Sequence, residues 1–180
     1  MVRSVCVYLS SSNGTPAFAS EIRALGGELA RRDLTLVYGG AHRGLMGVVA
    51  DAVMGAGGRA IGVIPKALVD LEIAHEGLTE LHVVETMHQR KWKMFELADA
   101  FVVGPGGFGT YEEAFEVLTG IQLGYHQKPI VFLDLEGFWS PMLQFLDHAV
   151  VTGVLQARTR ALFRTAPSAA AAIDLLLADS

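Results

Sequence analysis

The chain has 180 residues, 51% of them apolar and 18% charged; this is enough apolar side chain to offset the entropy of ordering one domain over residues 1–180, so wholesale disorder is excluded. A formal net charge of −5 gives no general attraction to nucleic acid or anionic lipid. No apolar run could span a bilayer, the run ending at Leu9 is too short for a secretory signal, and Cys6 alone makes no disulfide framework, so a cytoplasmic protein with a buried thiol is expected.

In chain order, Ser4 to Leu9 is a valine-rich apolar run that stops at a serine and glycine loop, which reads as strand then turn. From Ala17 to Arg32 the apolar residues Phe18, Ile22, Leu25 and Leu29 recur at helical spacing, and Leu34 to Tyr38 is again strand-like, completing a βαβ unit. The alternation continues with a helix over Leu45 to Val53, strands over Ala60 to Ile64 and Leu81 to Val84, and a helix over Met87 to Leu97. Ala100 to Val103, Thr110 to Leu123, Pro129 to Leu133 and Phe138 to Val151 carry it further, and Ala169 to Leu177 reads as a terminal helix. Short apolar strands separated by helices imply a doubly wound, Rossmann-like α/β fold, a parallel sheet with helices on both faces. The least regular stretch, Pro65 to Gly77 with Lys66, Asp70, Glu72 and Glu76, reads as a surface excursion near the site.

Glycine, at 20 of 180 residues, is in excess of its usual share of about 7%. In parallel sheets ligands gather beyond the carboxyl ends of the strands, and three loops there are unusual. Ser10-Ser11-Ser12-Asn13-Gly14 offers hydroxyls and amides that hold an oxyanion or cap the next helix. Gly39-Gly40-Ala41-His42-Arg43-Gly44-Leu45-Met46-Gly47 either brings backbone and a helix N-terminus to an anion or is a tight turn with Arg43 solvated. It matches neither the dinucleotide fingerprint nor a P-loop. The third, Gly104-Pro105-Gly106-Gly107-Phe108-Gly109-Thr110, is too glycine-rich for regular structure and suits a backbone nest for an anion. Thr110 to Glu113 also fits a capping box, which leaves Glu113 either structural or catalytic. Glu85 to Lys91 spans a strand end and a helix start, where Arg90 gains meaning beside a phosphate loop.

Two of these segments together, Met87-His88-Gln89-Arg90-Lys91 and Pro105-Gly106-Gly107-Phe108-Gly109-Thr110-Tyr111-Glu112-Glu113, resemble the MHxRK and PGGxGTxxE signature of the LOG family of phosphoribohydrolases. Gly44-Leu45-Met46-Gly47, Gly62-Val63-Ile64-Pro65-Lys66, Gln122-Leu123-Gly124 and Lys128-Pro129 extend the likeness from Val5 to about Leu133. Ser10, Ala41, Gly104 and Gly120 depart from the family pattern. The resemblance implies a homodimer that hydrolyses the N-glycosidic bond of purine nucleoside 5′-monophosphates, such as N6-substituted cytokinin nucleotides, without metal or organic cofactor. It places Arg90 and Glu113 in catalysis, and Ser11, Gly44, Met87, Lys91, Gly106, Gly107, Gly109 and Thr110 around the substrate and its phosphate. Glu85 and His88 are secondary candidates for proton transfer to the base. The label lysine decarboxylase, long attached to such chains, is set aside, since pyridoxal chemistry requires a Schiff-base lysine and a ring-nitrogen partner. A general AMP nucleosidase and a non-enzymatic nucleotide or cofactor carrier are the alternatives.

Overall fold

The computed structural model describes residues 1–71 and 73–178; Glu72, noted above as part of the surface excursion, lies outside them. The chain opens with β1 (Ser4–Tyr8), α1 (Pro16–Arg31), β2 (Thr35–Tyr38), α2 (Gly44–Gly55), β3 (Ala60–Pro65), a one-turn α3 (Lys66–Val69) and β4 (Glu80–Val84). It continues through α4 (Met87–Leu97), β5 (Ala100–Val103), α5 (Phe108–Gln122), β6 (Ile130–Leu133), α6 (Ser140–Val151), α7 (Ala157–Arg160), β7 (Arg164–Ala166) and α8 (Ala169–Ala178). The seven strands form one parallel sheet in the order β4-β3-β2-β1-β5-β6-β7. The doubly wound α/β architecture expected from the alternation is the one observed.

The period-two geometry of strands sorts the core into two layers. Val5, Val7, Leu36 and Tyr38 face α1, α2 and α8, where Ile22, Leu25, Val49 and Ile173 are fully buried. Cys6, Tyr8, Val37 and Phe101 face the other way, toward Met94 of α4, Ala114 and Val117 of α5, and Trp139. Burial pushes the Cys6 thiol well above its usual range, so this cysteine behaves as a small hydrophobe, as expected.

The strands departing from the expected burial are the two edges. In β4, Leu81 and Val83 are exposed, because an edge strand has a neighbour on one side only. β7 is missing from the sequence reading because it is three residues long and carries Arg164 and Thr165. Among the described residues no helix is long and apolar enough to cross a membrane.

The topology positions the site. From β1 the chain winds outward through β2 and β3 to β4, then returns to lay β5 on the opposite side of β1. The loops after β1 and β5 must therefore diverge to opposite faces, which opens a crevice between them at the carboxyl ends of the strands. Ser10 N donates to the carbonyl of Pro105 at 3.0 Å and holds the two loops together at its floor.

Candidate active site

A cleft of about 500 Å³ lies at this switch point, lined by the ends of β1, the loop after β2, the first turn of α5 and the inner face of α4. It gathers Ser11, Met87, Arg90, Gly107, Gly109, Thr110 and Glu113. Of the other residues expected around the substrate, Gly106 and Gly44 stand behind its wall and Lys91 does not line it.

Arg90 is carried by α4, which starts with a capping box. The Thr86 hydroxyl accepts from Gln89 N at 3.2 Å, and Gln89 Oε1 accepts from Thr86 N at 3.2 Å. Four residues into this helix, the Arg90 side chain turns toward the ends of β2 and β3 and is only 8% exposed. Its Nε donates to the carbonyl of Val63 at 3.1 Å and its Nη2 to that of Gly39 at 2.8 Å. A side chain at position 39 would occupy the guanidinium's own space, which is why glycine stands there. The first residue of the second glycine loop therefore houses a cation. Glu85 and His88 sit at the exposed start of α4 and are not among the residues that line the cleft.

Glu113 belongs to α5, whose beginning differs from the expected one. The helix starts at Phe108 with Gly107 as N-cap, so Thr110 lies inside the first turn and the expected capping box from Thr110 to Glu113 does not form. No side chain caps this helix. Tyr111 N donates to the carbonyl of Gly107 at 3.0 Å, while the amides of Phe108, Gly109 and Thr110 have no protein acceptor among the described residues. All three residues line the cleft. Gly106 is glycine because the Thr110 side chain fills the place of its Cβ.

The Glu113 carboxyl is partly buried, and desolvation pushes it up from 4.5 to about 7. Arg90 opposes that rise, Glu112 adds to it, Lys91 opposes it and Glu116 adds to it. Tyr8, 3% exposed on β1 and stacked on Phe101 at 5.8 Å between ring centroids, faces the same carboxyl.

The other two loops serve differently from the expectation. The helix after the Ser10–Gly14 loop is capped by Thr15, whose hydroxyl accepts from Phe18 N at 3.2 Å, and the Ser10 hydroxyl accepts from Ser12 N at 2.9 Å. The N-terminal amides of α2 are already spent: Leu45 N donates to the carbonyl of Ser12 at 3.2 Å and Met46 N to that of Ser10 at 3.3 Å. Gly44, at φ +59, lies with its Cα against the Ser11 carbonyl, so only glycine permits this junction. The second glycine loop thus braces the first.

Sequence reasoning missed Tyr8, Arg43, Met46, Leu68, Ile73 and Met94 in the lining. Tyr8 could have been found from its place at the end of a central strand. Leu68 and Ile73 come from the irregular stretch, which folds back over the second loop: Ala41 pairs antiparallel with Ala74, His42 N donates to Ile73 O at 3.0 Å, and His75 N to Gly40 O at 2.9 Å. The departure at Gly120 lies outside the cleft, where a Cβ would stand 2.8 Å from Nε2 of His126.

Residues 46–176 match the family model described as "Possible lysine decarboxylase". The chain is 45% identical over 168 residues to the cytokinin riboside 5′-monophosphate phosphoribohydrolase LOG of Oryza sativa subsp. japonica, covering 93% of this chain and 69% of that protein. It is 47% identical over 160 residues to the cytokinin riboside 5′-monophosphate phosphoribohydrolase of Rhodococcoides fascians, covering 88% and 81%. The molybdenum cofactor carrier protein of Chlamydomonas reinhardtii has the same fold, with a TM-score of 0.73 at 20% identity over 99% of both chains. The chain belongs to the LOG family of phosphoribohydrolases.

Because the folded protein holds the Glu113 proton more tightly than the unfolded chain, the stability this proton provides is complete below about pH 4.5 and is lost as pH rises through about 7. Glu113→Gln removes the titration. Thermal melts across pH 5 to 8 are expected to show wild type losing stability relative to the variant as pH rises; parallel curves would contradict the burial.

Proposed function

We propose that the chain hydrolyses the N-glycosidic bond of a purine nucleoside 5′-monophosphate carrying an apolar N6 substituent, a nucleotide of the cytokinin type, to free base and ribose 5-phosphate. The observation that carries this reading is the placement in one cleft of three unspent helix amides, a buried guanidinium and a carboxyl that titrates near neutrality.

The 5′-phosphate sits on the amides of Phe108, Gly109 and Thr110 at the positive end of α5, with the Ser11 and Thr110 hydroxyls beside it. Gly107 and Gly109 line the cleft beside these amides without side chains of their own. The ribose then lies between Arg90 and Glu113. As the bond from C1′ to the base nitrogen lengthens, its electron pair leaves with the base and positive charge builds on the sugar ring. Ionised Glu113 stabilises that charge and takes a proton from the water that adds to C1′, while the departing base takes up a proton from solvent, so that one water is consumed and neutral base and ribose 5-phosphate result. Arg90, fixed by two carbonyls, orients the substrate and meets developing negative charge. Met46, Leu68, Ile73, Met87 and Met94 make the apolar part of the lining, and their adaptable side chains favour an N6-alkenyl group over the bare amine of AMP.

The protein works as a homodimer. Trp92 of α4 and Phe115 of α5 are large apolar side chains left in water outside the cleft, and a second copy covers them. Sedimentation at micromolar concentration is expected to give twice the 19.3 kDa chain mass, and a 19.3 kDa species alone would contradict the dimer.

Incubation with N6-isopentenyl-AMP, AMP and adenosine, followed by chromatography of the free base, tests the reaction. Base is expected from both monophosphates, faster from the first, and scarcely from adenosine. Equal rates with AMP restore a general AMP nucleosidase, and AMP retained intact restores a carrier. Activity is expected to fall on the acid side with a midpoint near the Glu113 value of about 7. Glu113→Gln is expected to lose roughly 10²-fold in turnover while remaining folded; near-normal turnover would remove it from catalysis.

A further inference from the structure

Lys91 follows Arg90 on α4, and Glu112 precedes Glu113 on α5. The Lys91 ammonium is 8% exposed, donates to Glu112 Oε1 at 2.6 Å and lies 3.2 Å from Glu116 Oε2. Both carboxylates are largely exposed and one helical turn apart. A buried cation shared by two carboxylates of a neighbouring helix is a clamp between the helices; Lys91 itself does not line the cleft, whereas Glu112, which holds it, does.

We propose that Lys91 is a positioning residue: by holding Glu112 and Glu116 it sets α5 against α4 so that Glu113 faces Arg90, and it neutralises the two carboxylates that flank Glu113. The proposal rests on the reading of ionised Glu113 as the group that activates water. Among the described residues, the groups that act most strongly with that carboxyl are Arg90 and Lys91 from α4, Glu112 and Glu116 from its own helix, and Tyr8 and Cys6 from β1. Burial raises both β1 groups well above their usual ranges, so neither carries charge near neutrality. Hydrogen bonding to Glu112 raises Lys91, so the clamp stays cationic throughout the range in which Glu113 titrates.

Without Lys91 the two flanking carboxylates face Glu113 with Arg90 as the one remaining cation. Lys91→Met is therefore expected to move the acid side of the activity profile to higher pH by roughly one pH unit, lowering turnover at pH 6 roughly 10-fold, with ribose 5-phosphate affinity unchanged. Lys91→Arg keeps the cation and restores the profile. The double variant Glu112→Gln, Glu116→Gln is expected to move the midpoint the other way, and it decides the matter should Lys91→Met fail to fold. The Glu113 carboxyl resonance, followed by ¹³C NMR against pH, reads the same midpoints without any turnover. If wild type leaves every monophosphate intact, the proposed reaction fails while the NMR midpoints still decide the role of Lys91. An unchanged Glu113 midpoint in both variants overturns the proposal. If Lys91→Met instead weakens ribose 5-phosphate binding at an unchanged midpoint, Lys91 is a phosphate ligand.

Discussion

The site depends on a guanidinium buried against backbone. Arg90 is withdrawn from water without a carboxylate in ion-pair contact among the described residues, and a buried charge is tolerable only where hydrogen bonds replace its hydration. The carbonyls of Gly39 and Val63 supply them, one at the end of β2 and one within neighbouring β3. The sheet thus fixes the cation, and the cation dictates that position 39 has no side chain. Across the cleft, Arg90 is the strongest influence favouring the ionised form of Glu113 against desolvation. Burial raises that carboxyl and the opposing charge of Arg90 holds the rise back, to a value of about 7 at which it exchanges protons near neutrality.

Two helix N-termini approach the same crevice, and hydrogen-bond accounting distinguishes them. The first amides of α2 are consumed by the carbonyls of Ser10 and Ser12, so that end of the helix serves to hold the β1 loop. At α5 the N-cap is a glycine without a side chain to satisfy the first turn, and three amides are left for a ligand. Leaving a helix end uncapped costs stability, and the cost is offset when an anion takes the place of the cap.

The alternation of apolar runs and helical spacing made the fold legible, because parallel strands covered on both faces leave a distinctive pattern. It placed β4 without showing that one face of that strand is exposed, and it missed β7, which is three residues long and carries Arg164 and Thr165. Arg90, Glu113 and the glycines before Thr110 were legible as motifs. Their local roles were not. Thr110 and Glu113 have capping-box spacing, yet the helix begins two residues earlier, while the capping box actually formed, at Thr86 and Gln89, passed unread. Nothing in a run of glycines says which of them admits an arginine from another helix, since the contact of Gly39 with Arg90 spans 51 residues. Leu68 and Ile73 were hidden for the same reason: an irregular stretch reveals its partner only through backbone pairing with residues 40–42.

The most direct test of this account is kinetic analysis of Gly39→Ala with an N6-substituted monophosphate, alongside its affinity for ribose 5-phosphate. A methyl group at position 39 displaces the guanidinium from its two carbonyls but leaves the α5 amides untouched. The account predicts turnover lower by roughly 10²-fold or more, a loss on the scale of a misplaced catalytic group, with affinity for ribose 5-phosphate close to wild type. Turnover close to wild type in a folded Gly39→Ala protein would contradict it.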